Sequence, residues 1–130
     1  SLHYKTQTFA SYYIENKGGG AFALKMLPTP AQWSNLNDIL LEDFDGDGHQ
    51  DILAVANLFV SEIETARNDA GVGVFLKGNS KGDFVSVPLT ESGFYTPLDA
   101  KKLTPITIQG KPHIMVLNNN DLSQLFSVEN

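Results

Sequence analysis

Asp43-Phe44-Asp45-Gly46-Asp47-Gly48-His49-Gln50-Asp51 sets carboxylates at its first, third, fifth and ninth positions and glycines at its fourth and sixth. Apolar runs flank it, Ile39-Leu40-Leu41 before and Ile52-Leu53-Ala54-Val55-Ala56 after. Acids at alternate positions of a tight loop repel one another, and a hard cation among them removes that repulsion. Ca²⁺ takes about six to eight oxygens at roughly 2.3–2.6 Å in flexible geometry, which suits carboxylates with a backbone carbonyl and water. The spacing begins like an EF-hand, which also needs a bidentate Glu at the twelfth position and a helix on each side. Here the twelfth position is Ala54 and the flanks are β-type. The stretch reads as a strand–cation loop–strand hairpin closed by Asp51. The plainer alternative is a solvated acidic turn, since Asp and Gly favour turns in any case; four acids at this spacing are more than a turn requires.

Asp-Phe-Asp-Gly-Asp-Gly-His-Gln-Asp-Ile-Leu-Ala-Val-Ala-Asn, residues 43–57, resembles the cation loop of the FG-GAP and VCBS repeats, the family of the integrin α-subunit propeller. The resemblance implies β-propeller blades of four antiparallel strands, with the loop joining the first two strands of a blade and binding Ca²⁺. Carried over residue by residue, it makes Asp43, Asp45, Asp47 and Asp51 side-chain ligands and has His49 contribute its backbone carbonyl. Outside the loop the likeness is weak.

An internal repeat supports a blade-like plan. Tyr12–Phe22 aligns with Val74–Phe84 at an offset of 62, placing Ile14 on Leu76, Gly20 on Gly82 and Phe22 on Phe84. The same offset lays Asp51–Asn57 on His113–Asn119. Two separate segments agreeing on one period is the signature of stacked supersecondary units. The offset sets Asp43, Asp45, Asp47 and Asp51 on Pro105, Thr107, Gln109 and His113, so no second cation loop is expected.

Turn residues divide the chain into about nine strands. Ser11–Asn16 and Ala21–Leu27 make a hairpin around Lys17–Gly20, and Pro28-Thr29-Pro30 ends it. Asp38–Glu42 and Ile52–Ala56 flank the acidic loop; both are nearly continuous apolar runs, which predicts burial on both faces. Gly71–Leu76 and Phe84–Leu89 follow, then Leu103–Ile108, His113–Leu117 and Leu122–Val128. Residues 61–70 are a long insertion with room for a turn of helix. The expected fold is all-β, one 1–130 region of propeller-type antiparallel blades: an outer half-blade at 9–30, a complete blade at 36–90 and a partial blade at 98–130. Propellers use roughly four to eight blades, so this chain is too short to close a ring alone. A fragment of a longer protein, a ring of several chains and an atypical compact sheet sandwich are the three readings. Each leaves sticky faces and strand edges, which predicts self-association unless a longer chain supplies the missing blades.

Composition narrows the functional classes. With 42% hydrophobic and 18% charged residues the chain is that of a folded globular domain. A net charge of −6 disfavours nucleic acid and anionic membrane surfaces as partners. No apolar run reaches the ~18 residues of a membrane-spanning helix. With no cysteine there is no disulfide framework, thiolate metal site or cysteine nucleophile. Weak calcium sites belong to extracellular modules, so a calcium-holding chain is expected outside the cell; the family resemblance implies a bacterial surface or the periplasm.

Other chemistry is thin. Glu62, Glu64, Arg67 and Asp69 crowd the insertion and read as a solvated loop with internal ion pairs, with a ligand or second-cation role as the sharper alternative. His3, His49 and His113 lack metal-ligand spacing. Trp33, Tyr12, Tyr13 and Tyr95 suit sugar stacking on paper, but packing is the commoner fate of such aromatics. No nucleophile–base pair stands out, so the chain reads as a non-enzymatic module; the resemblance to the repeat family implies a calcium-binding module for adhesion to a protein or carbohydrate ligand. The rival is one part of a larger propeller enzyme, a hydrolase or lyase whose active site lies outside this chain.

Overall fold

The computed structural model describes residues 3–129; Ser1, Leu2 and Asn130, at the ends of the expected 1–130 region, lie outside them. The fold is all-β. Nine strands are present among the described residues, β1 (Tyr12–Gly18), β2 (Ala21–Met26), β3 (Leu36–Glu42), β4 (Asp51–Ala56), β5 (Val74–Gly78), β6 (Phe84–Ser86), β7 (Ala100–Ile108), β8 (Lys111–Asn118) and β9 (Gln124–Ser127). A 3₁₀ turn (Thr29–Gln32) follows β2, and one helical turn, α1 (Leu89–Ser92), follows β6. The strands form three antiparallel sheets, β1-β2, β3-β4-β5-β6 and β7-β8-β9, and none closes on itself.

Local chemistry explains the breaks. Gly18, Gly19 and Gly20 all have positive φ, the backbone a tight hairpin demands and side chains resist. After β2 the Gln32 amide takes over from the ladder. Its Oε1 accepts the Ser11 N–H at 2.7 Å, and its Nε2 donates to the Ser11 and Leu27 carbonyls at 3.0 and 2.9 Å. One side chain thus ties both ends of the first hairpin.

The registers show the repeat in three dimensions. In β1-β2 Ile14 pairs Leu24 and Asn16 pairs Phe22; in β5-β6 the same offset of 62 pairs Leu76 with Ser86 and Gly78 with Phe84. β3-β4 and β7-β8 share an irregularity at one place, with Leu36↔Ala56 then Asp38↔Val55 in one and Ala100↔Asn118 then Lys102↔Leu117 in the other. Ile52↔Leu76 in β4-β5 recurs as Ile114↔Phe126 in β8-β9. The hairpin tip differs from the sequence alignment. Glu42↔Asp51 corresponds to Ile106↔His113, and a two-residue Gln109-Gly110 turn closes β7-β8 where eight residues close β3-β4. The counterpart of Asp43 is therefore Thr107, not Pro105, while that of Asp51 remains His113.

Strand β4 is the centre of the packing. Every residue from Asp51 to Ala56 is buried. Its alternate side chains feed two cores: Leu53 and Val55 pack with Phe94, Ala100, Leu103, Ile114 and Val116, and Ile52 and Ala54 with Leu27, Ala31, Val74 and Leu76. The four-stranded sheet is thus the middle layer of three. Full burial of a Val, Leu or Ile side chain contributes about 1.5–3 kcal/mol, so β4 alone anchors both interfaces.

Strand β3 departs from the expectation of burial on both faces. Leu40 packs toward β7-β8-β9, but Ile39 and Leu41 are about half exposed, at 47% and 51%. They share a face with Ala54 and Ile52. The first hairpin reaches across that face from the β6 side, where the Tyr13 ring meets Phe84 edge-on at 5.5 Å and Lys25 pairs with Asp83 at 2.8 Å, and stops short of Ile39 and Leu41 on β3. The insertion also departs, holding no helix. Leu58 and Asn68 exchange backbone hydrogen bonds at 2.8 and 2.9 Å, and Arg67 lies over the Phe59 ring and pairs with Asp69.

Candidate metal centre

The acidic loop hangs between β3 and β4, closed by the Glu42↔Asp51 pair. Its sequence alternates with purpose. Phe44 turns inward and meets Phe75 edge-on at 5.9 Å, anchoring the loop in the core, while the flanking Asp43 and Asp45 stay exposed. Gly46 and Gly48 adopt φ of +73° and +87°, letting the chain fold its own N–H groups back onto the carboxylates. Asp43 Oδ1 accepts from Asp47 N–H at 3.1 Å and its Oδ2 from Gly48 N–H at 2.9 Å. Asp45 Oδ1 accepts from Asp47 N–H at 3.2 Å.

Asp51 is the buried member. Its Oδ2 accepts the Phe44 N–H at 3.1 Å and its Oδ1 the Gly78 N–H at 2.8 Å. A fully buried carboxylate is thereby fixed by two backbone donors, one from the loop and one from the end of β5.

Oxygens of Asp43, Asp45 and Asp51 lie within 4.8 Å of one another, the only such grouping of acids and histidines among the described residues. Two ligands of one Ca²⁺ stand at most about 5 Å apart, twice the usual Ca–O distance, so the three carboxylates fit one such ion. Asp47 stands outside the grouping. Its Oδ1 accepts His49 N–H at 2.9 Å and its Oδ2 lies 3.2 Å from Lys77 Nζ. The His49 N–H, with help from Lys77, holds the Asp47 carboxyl below the usual range. His49 is half-buried.

Lys77 is the participant that sequence reasoning missed. From β5 its ammonium pairs with both Asp45 and Asp47, and their hydrogen bonds raise its pKa. The one signal for it was the alternation of β5, which puts Lys77 on the opposite face from the buried Leu76 and Gly78. Glu62 and Glu64 are exposed and join no carboxylate grouping. Trp33 lines a pocket with Leu89 and Phe94 rather than with the tyrosines. His113 Nδ1 lies 2.9 Å from the Lys111 carbonyl.

Comparison of the chain with protein-family models, curated proteins and solved structures gives no match. Function therefore rests on the geometry of this loop and on the chemistry of its residues.

Proposed function

We propose that the loop from Asp43 to Asp51 is a structural Ca²⁺ site in a run of propeller-type blades. The chain then serves as a non-enzymatic binding or adhesion module at a bacterial surface or in the periplasm, with a protein or carbohydrate ligand. One observation carries the metal reading: three carboxylates converge to within 4.8 Å, and one of them, Asp51, is buried and locked to β5. Asp43, Asp45 and Asp51 are the first ligands, with Asp47, the His49 carbonyl and water available to complete the shell. The ion neutralises a cluster of like charges and couples the hairpin tip to β5, so binding energy becomes folding energy. The shared registers and irregularities of the sheets support the blade reading, and the family resemblance of the loop points the same way. The module reading is an analogy at the level of fold.

A thermal melt in EDTA and again in Ca²⁺, with Mg²⁺ as control, tests the site. At an affinity of ~10⁻⁴ M, typical of extracellular modules, ~10 mM Ca²⁺ adds roughly 2.7 kcal/mol, a rise on the order of 10 °C. The rise vanishes in Asp45→Ala. Identical melts in EDTA and Ca²⁺ would leave the loop an acidic turn.

A further inference from the structure

Each sheet of the stack uses its two faces differently, and the repeat allows those faces to be compared residue by residue. The central sheet presents Ile52, Val74 and Leu76 to the first hairpin and Leu53, Val55 and Phe75 to the third sheet. The registers carry Ile52 onto Ile114 and Leu76 onto Phe126, and those residues do pack back onto the central sheet. The same registers carry Leu53, Val55 and Phe75 onto Met115, Leu117 and Leu125. The third sheet thus keeps an apolar side chain at each position that the central sheet uses to receive its successor. Of these, Met115 is half-buried, while Leu117 is 38% and Leu125 51% exposed.

The other end of the stack mirrors this. Ile14 and Phe22 are the counterparts of Leu76 and Phe84, by which the central sheet packs on its predecessor. In the first hairpin Ile14 and Phe22 are each 59% exposed, and Leu24 and Met26 extend the same face at 60% and 62%. Contiguous exposed apolar surface of this kind marks an interaction site.

We infer that these two faces are the two halves of one heterologous interface, and that its occupant is a second copy of this chain. The Leu117–Leu125 face of one copy stacks on the Ile14–Met26 face of the next. The contact uses the same two faces that meet inside the chain, with β1 coming onto β9, both of them counterparts of β5, and each copy carries both halves. A head-to-tail interface of this type builds rings where the rotation closes and filaments where it does not. The inference rests on the registers and not on the calcium reading, so measurements in EDTA and in Ca²⁺ separate the two.

Sedimentation velocity from 1 to ~100 µM tests it. The chain is expected to form assemblies of two or more copies in both buffers. Leu24→Asp and Leu125→Asp, on opposite faces, each sediment as monomers. Mixed in equal amounts they form a heterodimer and nothing larger, because each supplies the half that the other lacks. Circular dichroism checks folding, and Met26→Lys and Leu117→Lys replace either variant that fails to fold. A monomer throughout the range, a mixture that stays monomeric, or single variants that assemble like the parent would overturn the inference; the first outcome would assign the faces to other partners.

Discussion

The Asp51 carboxylate and the Gly78 amide, 27 residues apart, are joined by a buried hydrogen bond of 2.8 Å that ties the root of the acidic loop to the end of β5. Gly78 is there because nothing larger fits: a Cβ at this position would stand 2.0 Å from the Gln50 carbonyl oxygen. Gly78→Ala must push two backbones apart. Its expected loss is about 3 kcal/mol or more, the upper end for overpacking, read from urea unfolding in EDTA. Asp51→Asn keeps the shape but leaves an NH₂ facing one of two backbone donors, and loses roughly 1–3 kcal/mol together with the calcium response. A stable Gly78→Ala protein that keeps its calcium response would break the proposed link between β5 and the loop.

Asn57 repeats the theme on the other side of β4. It is buried with φ of +87°, a conformation asparagine tolerates better than most residues. Its Oδ1 accepts Gly71 N–H at 2.8 Å and its Nδ2 reaches the Gly71, Pro97 and Leu98 carbonyls at 2.8, 3.2 and 3.0 Å. The side chain acts as a short strand, closing the insertion loop and holding the lead-in to β7. Asn57→Ala orphans these groups in a strained backbone, at an expected cost of about 3–5 kcal/mol. Asn57→Gly relieves the backbone but not the hydrogen bonds, so its midpoint should fall between those of Asn57→Ala and the parent.

How far the sequence could be read depends on the range of the interaction. Strands and turns were legible because alternation and glycine act locally, and the first hairpin announced its counterpart because Tyr12–Phe22 and Val74–Phe84 share both pattern and register. Asp43, Asp45 and Asp51 were legible as a group because one tight loop holds them. Lys77 was not, since it arrives from another strand. The half-exposed Ile39 and Leu41 misled because a run of apolar residues reports what a face can bury, not what covers it. Asn57 falls just past the expected strand Ile52–Ala56, and its hydrogen bonds depend on Gly71 and on residues 97 and 98, whose proximity only the fold supplies.

Two carboxylates between the second and third sheets predict an acid-sensitive interface. Burial pushes the Asp38 carboxyl up, but the Leu103 N–H at 2.8 Å and the Lys102 ammonium at 2.9 Å outweigh it. Burial likewise opposes ionisation of Asp99, and Lys101 with the Asn119 amide prevails. Both therefore titrate below the ordinary value of 3.8 in the folded protein. Their stabilisation is fully present above that value and is lost as pH falls through the lower folded values. In EDTA the melting temperature should drop steeply between pH 4 and pH 2, and a doubly substituted Asp38→Asn, Asp99→Asn protein should show a shallower slope from a lower start. Parallel slopes would exclude these two groups as the acid-labile contacts.

Lys77 gives the sharpest test of how the loop takes its ion. Its ammonium is held by Asp45 and Asp47, so a divalent cation drawn to Asp43, Asp45 and Asp51 must compete with it for Asp45. Lys77→Met removes the competitor. Ca²⁺ affinity by titration calorimetry should tighten by a factor on the order of two to five, the scale of an exposed ion pair, while the EDTA melt falls because the acids lose their internal counter-charge. Asp47, tied to the His49 N–H and outside the converging trio, should matter less than Asp45: Asp47→Asn weakens binding measurably, whereas Asp45→Asn abolishes it at millimolar Ca²⁺. If Lys77→Met instead weakens calcium, the ammonium is shaping the loop rather than contending for it. Equal losses in Asp45→Asn and Asp47→Asn would put Asp47 in the coordination shell on the same footing as Asp45.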